Sequence, residues 1–200
     1  MLLALVEKLI DGCLRFCAQR QEKRRLSFAD SVEPVYQSCQ NVHEQYLESF
    51  RTYRDSLSEP GAFSANLQAL CDRLGTASRF PADQEAKVIL FMEVSRQQLT
   101  SYLRDDSQVA FITEIRSYVS RALTEVCGAH YAGGTLRVAS PVFRNSLAGR
   151  LKKIMTEASL TEHQKQAAAA QVLDGIVAEL ETSFAAVTKR YLALRGEMPG

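Results

Sequence analysis

The fold of this chain is predicted most directly by its last long stretch, residues 161–196, which reads TEHQKQAAAAQVLDGIVAELETSFAAVTKRYLALRG. Its apolar side chains recur in steps of three and four residues: Leu173, Val177, Leu180, Phe184, Val187, Tyr191 and Leu194. This spacing places them on one side of an α-helix and does not fit a strand. Thr161 and Gln164 have the pattern of a capping box, and Gly196 followed by Pro199 is typical of a helix end. We therefore predict one helix about 50 Å long, with an apolar stripe that other helices must cover.

The rest of the chain shows the same spacing in shorter segments. Amphipathic helices are expected over about residues 1–25, 31–58, 64–74, 82–104, 107–127 and 141–158. Residues 136–139 are the only strand candidate, and a single short strand has nothing to pair with. The segments predict an all-α fold, an elongated bundle of six or seven helices with a long C-terminal helix. They form a single helical-bundle domain over residues 1–200, in which a helical hairpin, residues 1–58, packs on residues 62–195.

Two arrangements are open for the first two helices. Ser31 can cap the second helix with Pro34 in its first turn, which makes the two helices a hairpin. The other arrangement is one continuous helix that is kinked at Pro34. We favour the hairpin.

Composition and charge are those of an ordinary soluble globular protein. Hydrophobic residues make up 46% of the chain and the formal net charge is +1, so no overall field attracts a polyanionic partner. The apolar start at residues 1–6 is interrupted by Glu7 and Lys8, and it is too short for a signal-peptide core or a membrane span. The five cysteines include no CxxC pair. We therefore expect a cytoplasmic protein with reduced thiols and no transmembrane segment.

Possible zinc ligands occur on the first two helices. Two pairs have a spacing of four residues, Cys13 with Cys17 and Cys39 with His43, and a hairpin that turns near Phe28 would place Cys17 opposite Cys39 and Cys13 opposite His43. Three thiols and an imidazole suit tetrahedral zinc. We prefer the simpler interpretation that these cysteines are core residues, because zinc ligands usually come from knuckles and loops. No cofactor is predicted.

Signatures of catalysis are weak. Cys127 and His130 are three residues apart beside a glycine-rich loop, where an imidazole can activate a thiolate. A core cysteine and a histidine near a helix end explain the same residues, and catalytic pairs usually come from distant segments. The Glu-x-x-His, HExxH and P-loop patterns are absent. The chain is therefore predicted to be non-enzymatic, with a thiol enzyme as the weaker alternative.

The apolar stripes of the first and last helices predict association with protein. They are longer than one bundle layer needs, so part of them is expected to be exposed, and exposed apolar surface usually marks association. The residues expected to interact are Leu2, Leu5, Leu9, Leu173, Val177, Leu180, Phe184 and Tyr191. The predicted function is a non-enzymatic interaction or adaptor subunit that forms a homo-oligomer or docks into a larger protein assembly through helix-on-helix packing.

Two basic clusters provide an alternative function. One comprises Arg20, Lys23, Arg24 and Arg25, and the other comprises Arg144, Arg150, Lys152 and Lys153. Each can bind phosphates of nucleic acid or of lipid headgroups. The first cluster follows an apolar helix, as in segments that bind a membrane surface, although a solvated helix end explains it more simply. The alternative is thus a binding module for nucleic acid or an anionic membrane surface.

Overall fold

The computed structural model of the chain describes residues 11–12, 28–59, 61–77, 106–132, 135–138 and 144–196. These ranges contain five α-helices, α1 (Phe28–Leu57), α2 (Phe63–Ala77), α3 (Asp106–Ala122), α4 (Leu147–Thr156) and α5 (Glu162–Gly196). A π-helix (Leu123–Cys127) continues α3, and strands β1 (Ala129–Ala132) and β2 (Thr135–Val138) follow it. The predicted mostly helical fold with a long C-terminal helix is confirmed. A total of six or seven helices stays a prediction, because the helix expected at 82–104 and most of that at 1–25 fall outside the described residues. The single-domain boundary also stays a prediction.

Helix α5 is the axis of the hydrophobic core. Its buried side chains are at most 5% exposed, and they are Ala169, Leu173, Ile176, Leu180, Val187, Tyr191 and Leu194. Val177 and Phe184 are half-buried against this core. Helices α1, α3 and α4 pack along α5 and supply the opposing apolar side chains. The predicted stripe is therefore covered by helices of the same chain.

Both ends of α5 agree with the sequence pattern. The N–H of Gln164 donates to Thr161 Oγ1 at 3.3 Å, and the N–H of Thr161 donates to Gln164 Oε1 at 2.9 Å, which is the predicted capping box. The helix ends at Gly196. Near its start, the side-chain amide of Gln166 donates to the carbonyl of Leu57 at 2.9 Å and joins α5 to the end of α1.

The start of α1 differs from the prediction. The helix begins at Phe28, three residues before Ser31, so Ser31 is not its cap and Pro34 lies inside it. Proline has no N–H, so the carbonyl group four residues before Pro34 lacks its usual helical donor. Pro34 is exposed, so water can donate a hydrogen bond to that carbonyl group. Gly12 is also helical, and a methyl group added there would lie 3.5 Å from Ser38 Oγ. On a continuous helix Gly12 and Ser38 would be about 39 Å apart, so these two residues do not belong to one straight helix. The hairpin itself stays a prediction, because residues 13–27 lie outside the described part of the chain.

Three other helix boundaries were predicted wrongly. Helix α2 continues through Gly75 to Ala77, and α3 begins at Asp106, so Ser107 lies in its first turn and does not cap it. The helix expected over 141–158 is interrupted at Ser146, whose hydroxyl accepts from the N–H of Gly149 at 3.3 Å and caps α4. Ser146 was not predicted as a cap, although a hydroxyl three residues before a free N–H is the usual signal for one.

The predicted isolated strand has a partner. Strand β2 pairs antiparallel with β1, and Ala132 opposite Thr135 closes the register. Residues 129–132 were expected to be a loop. Gly128 precedes them with φ 68°, a left-handed conformation that ends the π-helix and redirects the chain. The two residues between the strands are glycines, a typical composition for a two-residue hairpin connection.

Replacing Leu180 by alanine should lower the free energy of unfolding by about 2–5 kcal/mol, because the removed methyl groups leave a cavity in the core. Leu180 is 0% exposed, whereas Leu192 on the same helix is 56% exposed. Leu192→Ala is therefore the matched control and should change the free energy of unfolding by less than about 0.5 kcal/mol. Urea unfolding followed by circular dichroism measures both; equal losses would contradict the assignment of α5 as the core axis.

Candidate functional site

One polar contact is buried where α1, α3 and α5 meet. Nδ1 of His43 and the hydroxyl of Tyr118 are 3.0 Å apart, and the imidazole stacks on the Phe184 ring with centroids 4.2 Å apart. Burial lowers the pKa of His43, and the nearby carboxylates of Glu181 and Glu44 only partly oppose this shift. His43 is thus a neutral imidazole at neutral pH, held between three helices.

A second group of aromatic contacts lies closer to the C-terminal end of α5. Tyr36 stacks on Tyr191 with ring centroids 3.9 Å apart, and its hydroxyl lies 3.2 Å from Thr188 Oγ1. Tyr36 also faces Phe184, whose ring lies 6.1 Å away. These stacked rings join α1 to α5, and we assign them a structural role.

The predicted zinc ligands are described only in part. Cys39 is fully buried, and burial raises the pKa of its thiol to about 12, so it is not a thiolate at neutral pH. His43 directs Nδ1 to Tyr118. Among the described residues, no group of three or more His, Cys, Asp or Glu side chains could hold a metal ion. Cys13 and Cys17 lie outside those residues, so the four-residue cluster stays a prediction, while the burial of Cys39 agrees with the core interpretation.

The predicted thiol pair is described at its backbone. Cys127 is the last residue of the π-helix, and His130 lies in β1 opposite Arg137. The side chains of Cys127 and His130 are outside the described part, so catalysis by this pair stays a prediction. The thiol of Cys71 is described, and its pKa is raised by burial and by Asp72, which does not favour a nucleophile.

The residues predicted to contact a partner lie mostly in the core. Leu173, Leu180 and Tyr191 are buried, and Val177 and Phe184 are half-buried against the other helices. Leu2, Leu5 and Leu9 are outside the described residues. On α5 the large apolar side chain that is exposed is Leu192, and a single exposed leucine is common on protein surfaces. The predicted stripe of α5 therefore offers little apolar surface to a partner.

An open groove lies along the side of α3 that faces away from the core. Its volume is about 550 Å³, and the lining includes Thr113, Arg116, Ser117, Ser120, Arg121, Thr124 and Glu125. These side chains provide four hydroxyls, two guanidinium groups and one carboxyl group. Thr113 and Thr124 are about 16 Å apart along the helix. The volume is in the range of ligand sites, so we take this surface as the candidate functional site and call it the α3 groove.

One carboxyl group, that of Glu125, lies at the end of the α3 groove. Glu125 is in the π-helix and is half-buried. Burial and the proximity of Glu179 raise the pKa of Glu125, while Arg150 and Arg121 act in the opposite direction. π-helical turns are frequent at functional sites, and here one carries a perturbed carboxyl group into a groove.

The second basic cluster does not form one surface. Arg144, Lys152 and Lys153 are exposed, whereas Arg150 is half-buried near Glu125. Nε and Nη2 of Arg150 are buried and have no hydrogen-bond partner in the part of the chain that the structure describes. Arg20, Lys23, Arg24 and Arg25, the first predicted cluster, lie outside that part. Of the predicted cations that the structure describes, Arg150 is the one that acts on Glu125 of the candidate site.

The groove was missed by sequence reasoning because only the apolar side of α3 was considered. Thr113, Ser117, Ser120 and Thr124 repeat at helical spacing, and arginines lie between them. Such a stripe resembles any solvated helix face. Its end lies in the π-helix at Glu125, and no local pattern predicted a π-helix there.

No family model, curated protein or solved structure matches the chain. Within the described ranges, none of the helices combines the length and the apolar character that crossing a membrane requires. The functional argument therefore depends on the geometry of the α3 groove and its charges.

We predict a pH dependence of stability that is caused by His43. Its pKa in the folded protein is below the ordinary value of about 6.5, so the unfolded chain binds the proton more readily. The free energy of unfolding should therefore be constant above about pH 7 and fall as the pH drops below about 6.5, by at most about 1.4 kcal/mol per pH unit.

Urea unfolding at pH 7.5, 6.5 and 5.5 tests this dependence. His43→Gln removes the titrating group, so the fall below pH 6.5 should be smaller than in the unsubstituted protein, whatever the variant's stability at pH 7.5. His163→Gln is the matched control because His163 is exposed, and this variant should keep the full dependence. An identical fall in all three proteins would contradict a buried neutral His43.

Proposed function

We propose that the protein is a non-enzymatic interaction subunit that docks onto a partner protein by receiving an acidic segment of that partner in the α3 groove. The observation that carries this proposal is the groove itself, an open surface with two arginines and four hydroxyl groups on one helix face. Polar side chains that converge on a concave surface are typical of binding sites.

The lining supports a carboxylate-bearing partner. Arg116 and Arg121 can each donate two parallel hydrogen bonds to a carboxylate group. The hydroxyls of Ser117 and Ser120 can donate to carboxylates or pair with the backbone of a bound segment. An extended peptide advances about 3.3 Å per residue, so the distance from Thr113 to Thr124 matches about five residues. A short acidic segment therefore fits the groove in both charge and length.

The burial of the apolar side of α5 supports a docking site on α3 and not on α5. Because Leu173, Leu180 and Tyr191 are buried within the chain, apolar association through them would require unfolding of the bundle. The polar side of α3 needs no such rearrangement. An adaptor that uses the groove keeps its fold in both the free and the bound state.

The described thiols support a non-enzymatic role. Burial raises the pKa of both Cys39 and Cys71, so both thiols stay protonated at neutral pH. His43 is buried against Tyr118 and Phe184 and does not line the groove. The side chains that do line it are suited to binding by charge and hydrogen bonds.

A second candidate is the binding of nucleic acid or an anionic membrane surface. Lys152 and Lys153 are exposed neighbours on α4, and Arg144 is exposed nearby in the sequence. Three exposed cations can bind phosphates. Against this candidate, the fourth cation of the cluster, Arg150, is turned inward, and no aromatic ring is among the described lining of the groove to stack on a base. We therefore favour the acidic protein segment.

Fluorescence anisotropy of the full chain with a labelled ten-residue Asp/Ser peptide tests the proposal. The double variant Arg116→Gln, Arg121→Gln should bind the peptide at least about tenfold more weakly, because it loses charge-assisted hydrogen bonds. The matched control is Arg51→Gln, Arg54→Gln, which removes two arginines that pair with Glu181 and Asp174 on α5. Exposed pairs of this kind contribute little to stability, so the control should bind like the unsubstituted protein.

Two further probes distinguish the candidates. A labelled single-stranded oligonucleotide and vesicles containing phosphatidylserine are measured with the same proteins and with Lys152→Gln, Lys153→Gln. Tighter binding of either probe, lost on substitution of the two lysines, would support the second candidate and contradict the first. No binding of the peptide, or equal binding by both arginine double variants, would overturn the proposed docking site.

A further inference from the structure

We infer that the α3 groove selects an extended segment with acidic residues at two alternate positions and a basic residue at the next alternate position. The inference rests on the proposed function and names the charge order of the partner segment that the same groove receives. It is carried by the order of the charged side chains that line the groove, which is Arg116, then Arg121, then Glu125.

The three charged side chains are almost evenly spaced along the groove. Arg116 and Arg121 lie on α3, and they are about 7.5 Å apart along its axis. Glu125 lies in the π-helix that continues α3, about 6 Å beyond Arg121. In an extended peptide, alternate side chains point to the same side and are about 6.6 Å apart. Three alternate residues of a bound segment therefore fall opposite Arg116, Arg121 and Glu125.

The charges of the groove determine which residue type suits each of these three positions. A carboxylate opposite Arg116 or Arg121 can accept two parallel hydrogen bonds from the guanidinium group. A carboxylate opposite Glu125 would meet a like charge, which lowers affinity, whereas a lysine ammonium group would meet an opposite charge. The resulting order is acid-x-acid-x-base, in which x is a residue that points away from the helix.

The hydroxyl groups of the groove do not contribute to this order. The four hydroxyl-bearing side chains of the lining are neutral, and a hydroxyl group can both donate and accept a hydrogen bond. They can therefore bind the backbone of a segment with any charge order. Selection among acidic segments depends on the two arginines and on Glu125.

Glu125 is suited to receive a cation from the partner. Its side chain is half-buried, and burial, followed by the negative charge of Glu179, raises its pKa. Arg150 and Arg121 oppose this shift without reversing it. The ionised carboxyl group is thus incompletely stabilised in the free protein, and an ammonium group of the partner would add the missing positive charge.

Fluorescence anisotropy of the full chain with four labelled peptides tests the inference. The peptide cores are Asp-Ser-Asp-Ser-Lys, its reverse Lys-Ser-Asp-Ser-Asp, Asp-Ser-Lys-Ser-Asp and Asp-Ser-Asp-Ser-Asp, each between serine flanks with capped ends. Both directions are included because the charges do not determine the direction of the bound chain. The measurements are made at pH 8, which favours the ionised form of Glu125.

The tighter of the two end-lysine peptides should bind about tenfold more strongly than the central-lysine peptide. All three have the same composition and net charge, but the central-lysine peptide cannot pair both arginines and Glu125 in any register, so it loses a charge-assisted pair. The same end-lysine peptide should bind about threefold more strongly than the peptide with three aspartates, although its net charge is less negative.

Two matched variants assign the preference for lysine to Glu125. Glu125→Gln removes the negative charge, so the peptide with three aspartates should bind at least as strongly as the end-lysine peptide. The control is Glu114→Gln, because Glu114 is half-buried on the same helix and is not among the side chains that line the groove. This variant should keep the preference for lysine. Circular dichroism shows whether each variant is folded.

The outcomes separate this inference from the proposed function. Equal binding of the end-lysine and central-lysine peptides, or the same preference for lysine in Glu125→Gln, would overturn the charge order and leave docking of an acidic segment intact. Absence of binding by all four peptides would overturn both. The comparison of peptides on the unsubstituted protein does not depend on either variant, so the charge order is tested even when a substitution disturbs the fold.

Discussion

The burial of one side of α5 is the constraint on which the rest of the structure depends. Leu173, Ile176, Leu180 and Val187 have no exposed surface, and covering each of them stabilises the fold by about 1.5–3 kcal/mol relative to exposure. Helices α1, α3 and α4 all obtain their position by packing on this one helix. The ion pair between Arg54 and Asp174 is exposed and adds little by comparison. Apolar packing thus determines the architecture, and polar contacts adjust it.

Within the described part of the chain, the same constraint leaves one side of α3 outside the core. Because Phe111, Ile115 and Tyr118 face the core, the threonines, serines and arginines between them must face outward, and they form the groove. At its end, Glu125 is half-buried because the π-helix packs against α2 and α4. The site is therefore a consequence of core packing, and its polar groups are held in place by a rigid helix and not by a loop.

Periodicity predicted the helices where the apolar pattern is long and uninterrupted. Helix α5, its Thr161 cap and the end of α1 at Leu57 all agree with the sequence. Predictions failed where a single residue had to decide a boundary: Ser31, which was expected to cap α1, lies inside that helix, and Ser146, which was not expected to be a cap, caps α4. The surroundings of Glu125 could not be predicted from the sequence. Arg150 is 25 residues after Glu125, and Glu179 is a further 29 residues along the chain. The influence of such distant charges on a carboxyl group depends on tertiary packing, which no local sequence pattern indicates.

Two buried N–H groups of Arg150 lack a hydrogen-bond partner among the described residues, and this has a consequence for engineering the protein. A buried donor without a partner costs about 1–3 kcal/mol, and an isosteric apolar residue at this place would avoid that loss. Selection for thermal stability alone will therefore tend to replace Arg150 by an uncharged residue. Natural proteins often retain a destabilising residue where binding requires it. Variants selected for thermal stability should therefore be examined for the loss of Arg150 before they are used in binding experiments.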